Sequence, residues 1–185
     1  MKAGLLPRLS KKVISVYVEA SPEDTEKRLI NGIRKVLPEA QGKTLREMLA
    51  SIRRQSLVPA GGKLVLILDQ FEQWLHTEVD YVGASLTDGL RQCDGVQIQA
   101  IVMVRDDFWL SVSRFLREIE VRIVEGENSA LVDLFDLDHS AKVLRLFGKA
   151  FKKLPDSSSQ WTPDQQEFIR QELCPLHQRW LARQS

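Results

Sequence analysis

The feature that most constrains the fold is a continuous apolar run near the middle of the chain. Lys63 to Leu68 has the sequence KLVLIL, so five consecutive apolar residues lie between a lysine and Asp69. A strand with one face in water alternates apolar and polar residues, whereas a strand buried on both faces of a parallel sheet is apolar throughout. We therefore expect Lys63–Leu68 to be an inner strand of a parallel sheet.

Three further segments have the pattern of strands. Val13 to Glu19 (VISVYVE) and Val96 to Val104 (VQIQAIVMV) are rich in β-branched residues, and Ile119 to Val124 (IEVRIV) alternates. Helical periodicity separates these segments and covers the chain after about residue 138. The order predicts an α/β fold, a three-layer parallel sheet followed by a small all-helical segment. The predicted domains are residues 1–137 and 138–185.

Two helix starts are indicated by polar residues. Ser21 stands before Pro22 and two acidic residues, so we predict that Ser21 caps the first long helix. Asp107 is predicted to cap a helix that begins at Phe108, with a direct role in ligand binding as the alternative. Phe108 and Trp109 are expected to pack that helix against the sheet.

Charge is balanced over the chain but unevenly distributed. The 185 residues carry 26 basic and 25 acidic side chains, a net charge of +1, which argues against a dedicated nucleic-acid binder. Residues 64–138 hold 5 basic and 15 acidic side chains, and both flanking segments are positive. This acidic middle is either a solvated face or a cation-binding centre.

Other features exclude whole classes of protein. The longest apolar run has five residues, so no membrane span is expected. Cys93 and Cys174 are too few for a disulfide framework or a zinc site, which favours a cytoplasmic protein.

Chemistry-bearing residues follow two of the predicted strands. Asp69 ends the apolar strand and Glu72 comes three residues later, while Arg105 directly follows Val96–Val104. Ligands of open parallel sheets bind beyond the carboxyl ends of the strands. A carboxylate there suits a hydrated magnesium ion, and an arginine suits a terminal phosphate. The alternative for Asp69 is a plain turn or helix cap.

No phosphate-binding loop is present to complete such a site. Nothing in the chain matches G-x-x-x-x-G-K-[ST]. Gly61-Gly62-Lys63 precedes a strand, whereas a phosphate loop follows one, so we interpret these glycines as the turn that leads into the strand.

Over roughly residues 1 to 173, the chain resembles the STAND class of P-loop NTPases, of the bacterial type often fused to protein kinase or WD-repeat modules. The segments that carry this resemblance, in order, are KAGLLPRL, VISVYVEASPEDTEKRLINGIRKVLP, LVLILDQFEQWL, IVMVRDDFW and LFDLDHSAKVLRLFGKAF.

The resemblance implies a role for three residues. Asp69 matches the Walker B aspartate that coordinates Mg²⁺, Glu72 matches the downstream catalytic acid, and Arg105 matches the arginine that contacts the terminal phosphate. The implied cofactors are Mg²⁺ and ATP. The family's first strand and phosphate loop would precede Lys2–Leu9. We therefore expect a partial switch domain that has at most residual contacts with Mg-nucleotide and is inactive alone.

Two other functions remain open. The first is a non-catalytic protein-interaction fragment that binds no nucleotide. The second is a small enzyme that uses Asp69 and Glu72 as an acid/base pair. Expected partners are other domains of the same architecture or a second copy of the chain, with neither nucleic acid nor membrane.

The resemblance also predicts a weak point in the sheet. In the family's strand order, five-one-four-three-two, the missing first strand lies between the strands that correspond to Val96–Val104 and Ile119–Val124. The edges left unpaired invite aggregation. We expect poor stability or self-association of the isolated chain.

Overall fold

A computed structural model describes residues 6–76, 84–132, 137–152, 154 and 162–168. The chain divides into two compact units, Met1–Asn128 and Ser129–Ser185. The first contains all the strands of the described residues, and the second contains helices. The domain boundary near residue 137 stays a prediction.

The elements of the first unit alternate between strands and helices. Single turns of 3-10 helix cover Leu6–Arg8 and Asp106–Phe108. The other elements, in chain order, are β1 (Val13–Glu19), α1 (Thr25–Val36), α2 (Leu45–Gln55), β2 (Lys63–Asp69), α3 (Glu72–Leu75), α4 (Ser85–Leu90), β3 (Ile98–Val102) and α5 (Trp109–Glu118).

The three strands form one parallel sheet in the order β1-β2-β3. β2 is central: Val16 pairs with Leu66 on one side, and Leu66 pairs with Ala100 on the other. The α/β class and the inner, parallel position of Lys63–Leu68 are therefore confirmed. The finer prediction, a three-layer architecture of the P-loop NTPase kind, stays a prediction.

The core of this unit forms around β2. Leu64, Leu66 and Leu68 have no exposed surface, and they belong to the same cluster as the buried residues of α1, α2 and α4. Val65 and Ile67, which alternate with them, are also buried. Full burial of a side chain of this size contributes about 1.5–3 kcal/mol, so the apolar run explains why β2 occupies the centre.

The first helix starts later than the sequence predicted. α1 begins at Thr25 after turns over Pro22 to Asp24, so Ser21 is not the N-cap residue that the sequence predicted. Its hydroxyl nevertheless accepts from the Asp24 amide at 3.3 Å, which is the bond that a capping serine makes. The Thr25 hydroxyl accepts from the Ser21 amide and donates to the Ser21 carbonyl, which closes a separate turn before the helix.

The strand predicted over residues 119–124 is absent. Ile119 is the C-cap residue of α5, Glu120 has a left-handed φ of 62°, and the Val121 amide donates to the Leu116 carbonyl at 2.8 Å. With the bond from the Glu120 amide to Arg117, this is a Schellman turn. Residues 119–121 therefore form the end of a helix, although the alternation of apolar and polar residues alone predicted a strand.

Replacing Glu120 tests this turn. A residue with a Cβ atom is strained at positive φ, so we expect Glu120→Gly to raise the free energy of unfolding by about 1 kcal/mol. The same change at Glu118, the last helical residue of α5, should lower it. Urea unfolding of both variants makes the comparison. A loss of stability in both would contradict the assigned turn.

The turn before β3 is held by one carboxylate. Asp94 Oδ1 accepts from the amides of Val96, Gln97 and Ile98 at 2.9–3.0 Å, and Arg53 lies 3.3 Å from Asp94 Oδ2. Desolvation works to raise the pKa of Asp94, but the amide bonds and Arg53 outweigh it and lower the pKa. The carboxylate therefore connects α2 with the start of β3.

Removing this carboxylate should weaken the fold. We expect Asp94→Ala to cost about 1–3 kcal/mol, because three amides lose their acceptor. Since the pKa of the folded state is lowered, the contribution of Asp94 is present above about pH 4 and is lost as pH falls through the folded pKa. Urea melts at pH 7 and pH 3 measure both effects. Asp88→Ala is the control, because Asp88 only pairs with Arg91 at the surface, and equal losses in both variants would refute the assignment.

The second unit contains α6 (Leu137–Ala150) and α7 (Pro163–Phe168). Leu146, Phe147 and Phe151 are more than half exposed, and the two phenylalanine rings stack with centroids 6.3 Å apart. The helical structure predicted for residues 169–185 lies outside the described residues.

Candidate functional site

The candidate site lies at the carboxyl end of β2 and β3. The ladder ends at Leu68 and Val102, and the Met103 amide then donates to the Leu68 carbonyl at 2.8 Å. The Phe71 amide donates in turn to the Met103 carbonyl at 3.0 Å. The segments that carry the predicted site residues therefore leave the sheet side by side, as their parallel pairing requires.

Asp69 is held by donors from two directions. The Tyr17 hydroxyl donates to Oδ2, and the Gln70 amide donates to Oδ1 at 2.9 Å. The Ala20 amide donates to the Asp69 carbonyl at 2.7 Å. Gln70 has a φ of 52°, so the chain turns sharply just after the strand. The carboxylate is half-buried, and two hydrogen bonds restrict its orientation.

Tyr17 reaches Asp69 because of the sheet register. Tyr17 pairs with Ile67, and Glu19 pairs with Asp69, so the side chains of Tyr17, Glu19 and Asp69 belong to one face of the sheet. The hydrogen bond to Asp69, followed by desolvation and by the charges of Asp69 and Glu19, raises the pKa of Tyr17 to about 12. The edge is thus electronegative on this face.

An Asp69→Asn substitution tests the electrostatics of this pair. We expect the pKa of Tyr17 to fall from about 12 towards 10.0, and to stay above 10.0 because desolvation and Glu19 remain. Since the folded pKa is raised, the neutral phenol stabilises the fold below pH 10.0, and this contribution is lost as pH rises through about 12. Tyrosinate absorbance measures the titration, with Tyr17→Phe to identify its component. An unchanged pKa would contradict the hydrogen bond.

Glu72 is a buried acid at the start of α3. Its side chain is 6% exposed, and within the described residues Oε2 has no hydrogen-bond partner. Leaving a buried acceptor unsatisfied is costly, and such atoms often mark a site for water or an ion. Oε2 is therefore an acceptor that retains unused hydrogen-bonding capacity.

Aromatic packing anchors the segment that carries Asp69 and Glu72. Phe71 and Trp74 stack at 5.1 Å, and Phe115 of α5 packs against them at 5.1 Å and 5.5 Å. All three side chains are buried. The segment DQFEQW thus leaves Asp69 half-buried at the sheet edge and buries Glu72 together with the two rings.

Arg105 lies at the surface just beyond β3. Its side chain is 68% exposed, and its guanidinium pairs with Asp107 at 2.7 Å rather than with Asp69 or Glu72. The prediction that Asp107 caps the following helix is wrong, because neither the 3-10 turn nor α5 has a side-chain cap. Trp109 is 53% exposed, so its predicted packing against the sheet is wrong as well.

The described residues contain no group of three or more potential protein ligands for a metal ion. Mg²⁺ does not need such a group, because it commonly binds one or two carboxylates and completes its shell with water and phosphate oxygens. Asp69 fits that mode as a single carboxylate ligand. Cys93 is a poor candidate nucleophile, since burial is the main cause that raises its pKa to about 12.

Tyr17 and Glu19 belong to this edge of the sheet although the sequence did not single them out. The alternation of VISVYVE places both on one face of β1, and a parallel partner ending in Asp69 could have indicated their proximity. The register itself was needed to pair Glu19 with Asp69.

No family model, no curated protein and no solved structure matches the chain. Within the described ranges, no helix is long and apolar enough to cross a membrane.

Proposed function

We propose that this chain is part of the nucleotide-binding switch domain of a STAND-class signal-transduction ATPase. The observation that carries the proposal is the parallel order β1-β2-β3, with Asp69 ending the central strand and Arg105 following its neighbour. Adjacent parallel strands deliver their carboxyl ends to one edge, where ligands of such sheets bind. The resemblance of the sequence to the family supplies the identity of the ligand.

Each site residue has a physical role in this proposal. Asp69 holds Mg²⁺, which neutralises phosphate charge when it is bound. Glu72 accepts a hydrogen bond from water near the terminal phosphate, which uses its unsatisfied oxygen. Arg105 exchanges its surface pair with Asp107 for the terminal phosphate, since exposed ion pairs contribute only about 0–1 kcal/mol.

The sequence has no oriented loop amides and no loop lysine of the G-x-x-x-x-G-K-[ST] kind. These groups provide most of the binding to phosphate in P-loop proteins. We therefore propose weak nucleotide binding and no unassisted hydrolysis for this chain. The two cysteines and the absence of a disulfide framework support a cytoplasmic location.

Titration with Mg-ATP tests the proposal. We expect a dissociation constant of about 1 mM or weaker, equivalent to about 4 kcal/mol of binding. Amide chemical shifts around Gln70 should follow the titration in the wild type and not in Asp69→Ala, with Asp88→Ala as the surface control. Micromolar binding that requires Asp69 would contradict weak binding. Identical responses of wild type and Asp69→Ala would overturn the nucleotide proposal.

A second candidate function is a non-catalytic protein-interaction fragment, with other domains or a second copy of the chain as partner. The exposed Leu146 and Phe147 of α6 and the adjacent Phe151 favour it, because exposed apolar groups commonly mark contact surfaces. Nucleotide binding that depends on Asp69 would support the switch domain, and its absence would support the interaction fragment.

A further inference from the structure

We propose that Tyr17 is a positioning residue for Asp69: its hydroxyl fixes the carboxylate in the orientation that receives a divalent cation. This inference rests on the proposed function, in which Asp69 is the metal ligand. The hydrogen bond from Tyr17 to Asp69 Oδ2 is its structural basis.

Two donors from different parts of the chain hold the two carboxylate oxygens. Tyr17 comes from β1, an adjacent strand, and the Gln70 amide comes from the turn that follows β2. Rotation of the carboxylate about its bond to Cβ would break both hydrogen bonds. Each carboxylate oxygen can accept two bonds, so each keeps a position for a cation. The orientation is therefore set before any ligand arrives.

The hydroxyl, rather than the ring, carries this role. Tyr17 is half-buried, and its neighbours at alternate positions of β1, Ser15 and Glu19, are polar. A phenylalanine would provide the same ring to the sheet but no donor for Oδ2. Outer hydrogen bonds of this kind raise metal affinity because they orient the ligating group, and their loss typically costs 10–100-fold in affinity.

Two competing roles of Tyr17 predict other changes in metal affinity when its hydroxyl is removed. If the cation had to replace the hydroxyl on Oδ2, Tyr17 would compete with metal, and its removal would strengthen binding. If Tyr17 only stabilised the sheet, its removal would leave metal affinity unchanged in folded protein. The direction of the change thus separates positioning from both competing roles.

The test uses Mn²⁺ with ADP as a paramagnetic probe of the full chain. Mn²⁺ broadens amide signals near its site even when binding is weak, and the Gln70 amide reports on Asp69. We expect Tyr17→Phe to weaken the Mn²⁺-dependent broadening of Gln70 by about 10–100-fold in apparent affinity. Ser15→Ala, a change on the same face of β1, is the matched control and should behave as the wild type. Thermal melts confirm that each variant is folded under the conditions of the titration.

Asp69→Asn separates the failure of this inference from the failure of the proposed function. Loss of Gln70 broadening in Asp69→Asn, with no further effect of Tyr17→Phe in that background, supports positioning. Wild-type or tighter affinity in Tyr17→Phe, while Asp69→Asn abolishes broadening, overturns the role of Tyr17 alone. Unchanged broadening in Asp69→Asn overturns both the metal site and the inference.

Discussion

Burial of β2 on both faces is the constraint on which the first unit depends. Its apolar residues lie at most 7% exposed from Leu64 to Leu68, and strands on both sides complete its hydrogen bonding. No polar side chain can enter this layer cheaply, because a buried polar group needs a partner. The first position at which the central strand can carry chemistry is therefore its end, at Asp69.

A carboxylate at the end of a buried strand needs hydrogen-bond donors for its negative charge. Asp69 accepts hydrogen bonds from the Tyr17 phenol of the neighbouring strand and from the main-chain amide of the turn that follows it. The hydrogen bond to Asp69, followed by desolvation and by the charges of Asp69 and Glu19, in turn raises the pKa of Tyr17. Glu72 is less well satisfied, because one of its buried oxygens lacks a donor within the described residues. The two acids of DQFE are thus physically different: one is oriented, and the other retains an open acceptor.

The end of α5 shows how a local interaction can override a sequence pattern. Alternating apolar residues from Ile119 to Val124 are compatible with a strand, but the Schellman turn at Glu120 satisfies the last helical carbonyls first. Asn128 then holds the following segment, donating to the Arg122 carbonyl and accepting from the Val124 amide. Within the described residues, β3 consequently has a ladder partner on one side only.

The sequence by itself determined the α/β class, the central strand and the place of Asp69, since continuous hydrophobicity and turn residues act locally along the chain. The predictions for Asp107 and Trp109 were wrong because the local sequence is compatible with two structures. In one, Asp107 caps the helix and Trp109 packs against the sheet. In the other, which the protein adopts, Asp107 caps no helix and the Trp109 ring is exposed. Only the tertiary structure decided that Tyr17 meets Asp69 and that Arg105 pairs with Asp107 instead. The contact between Tyr17 and Asp69 follows from strand register, which joins residues far apart in sequence and which no local pattern encodes. Arg105 and Asp107 are only two residues apart, and the local sequence is compatible either with this pair or with an arginine directed to the sheet edge.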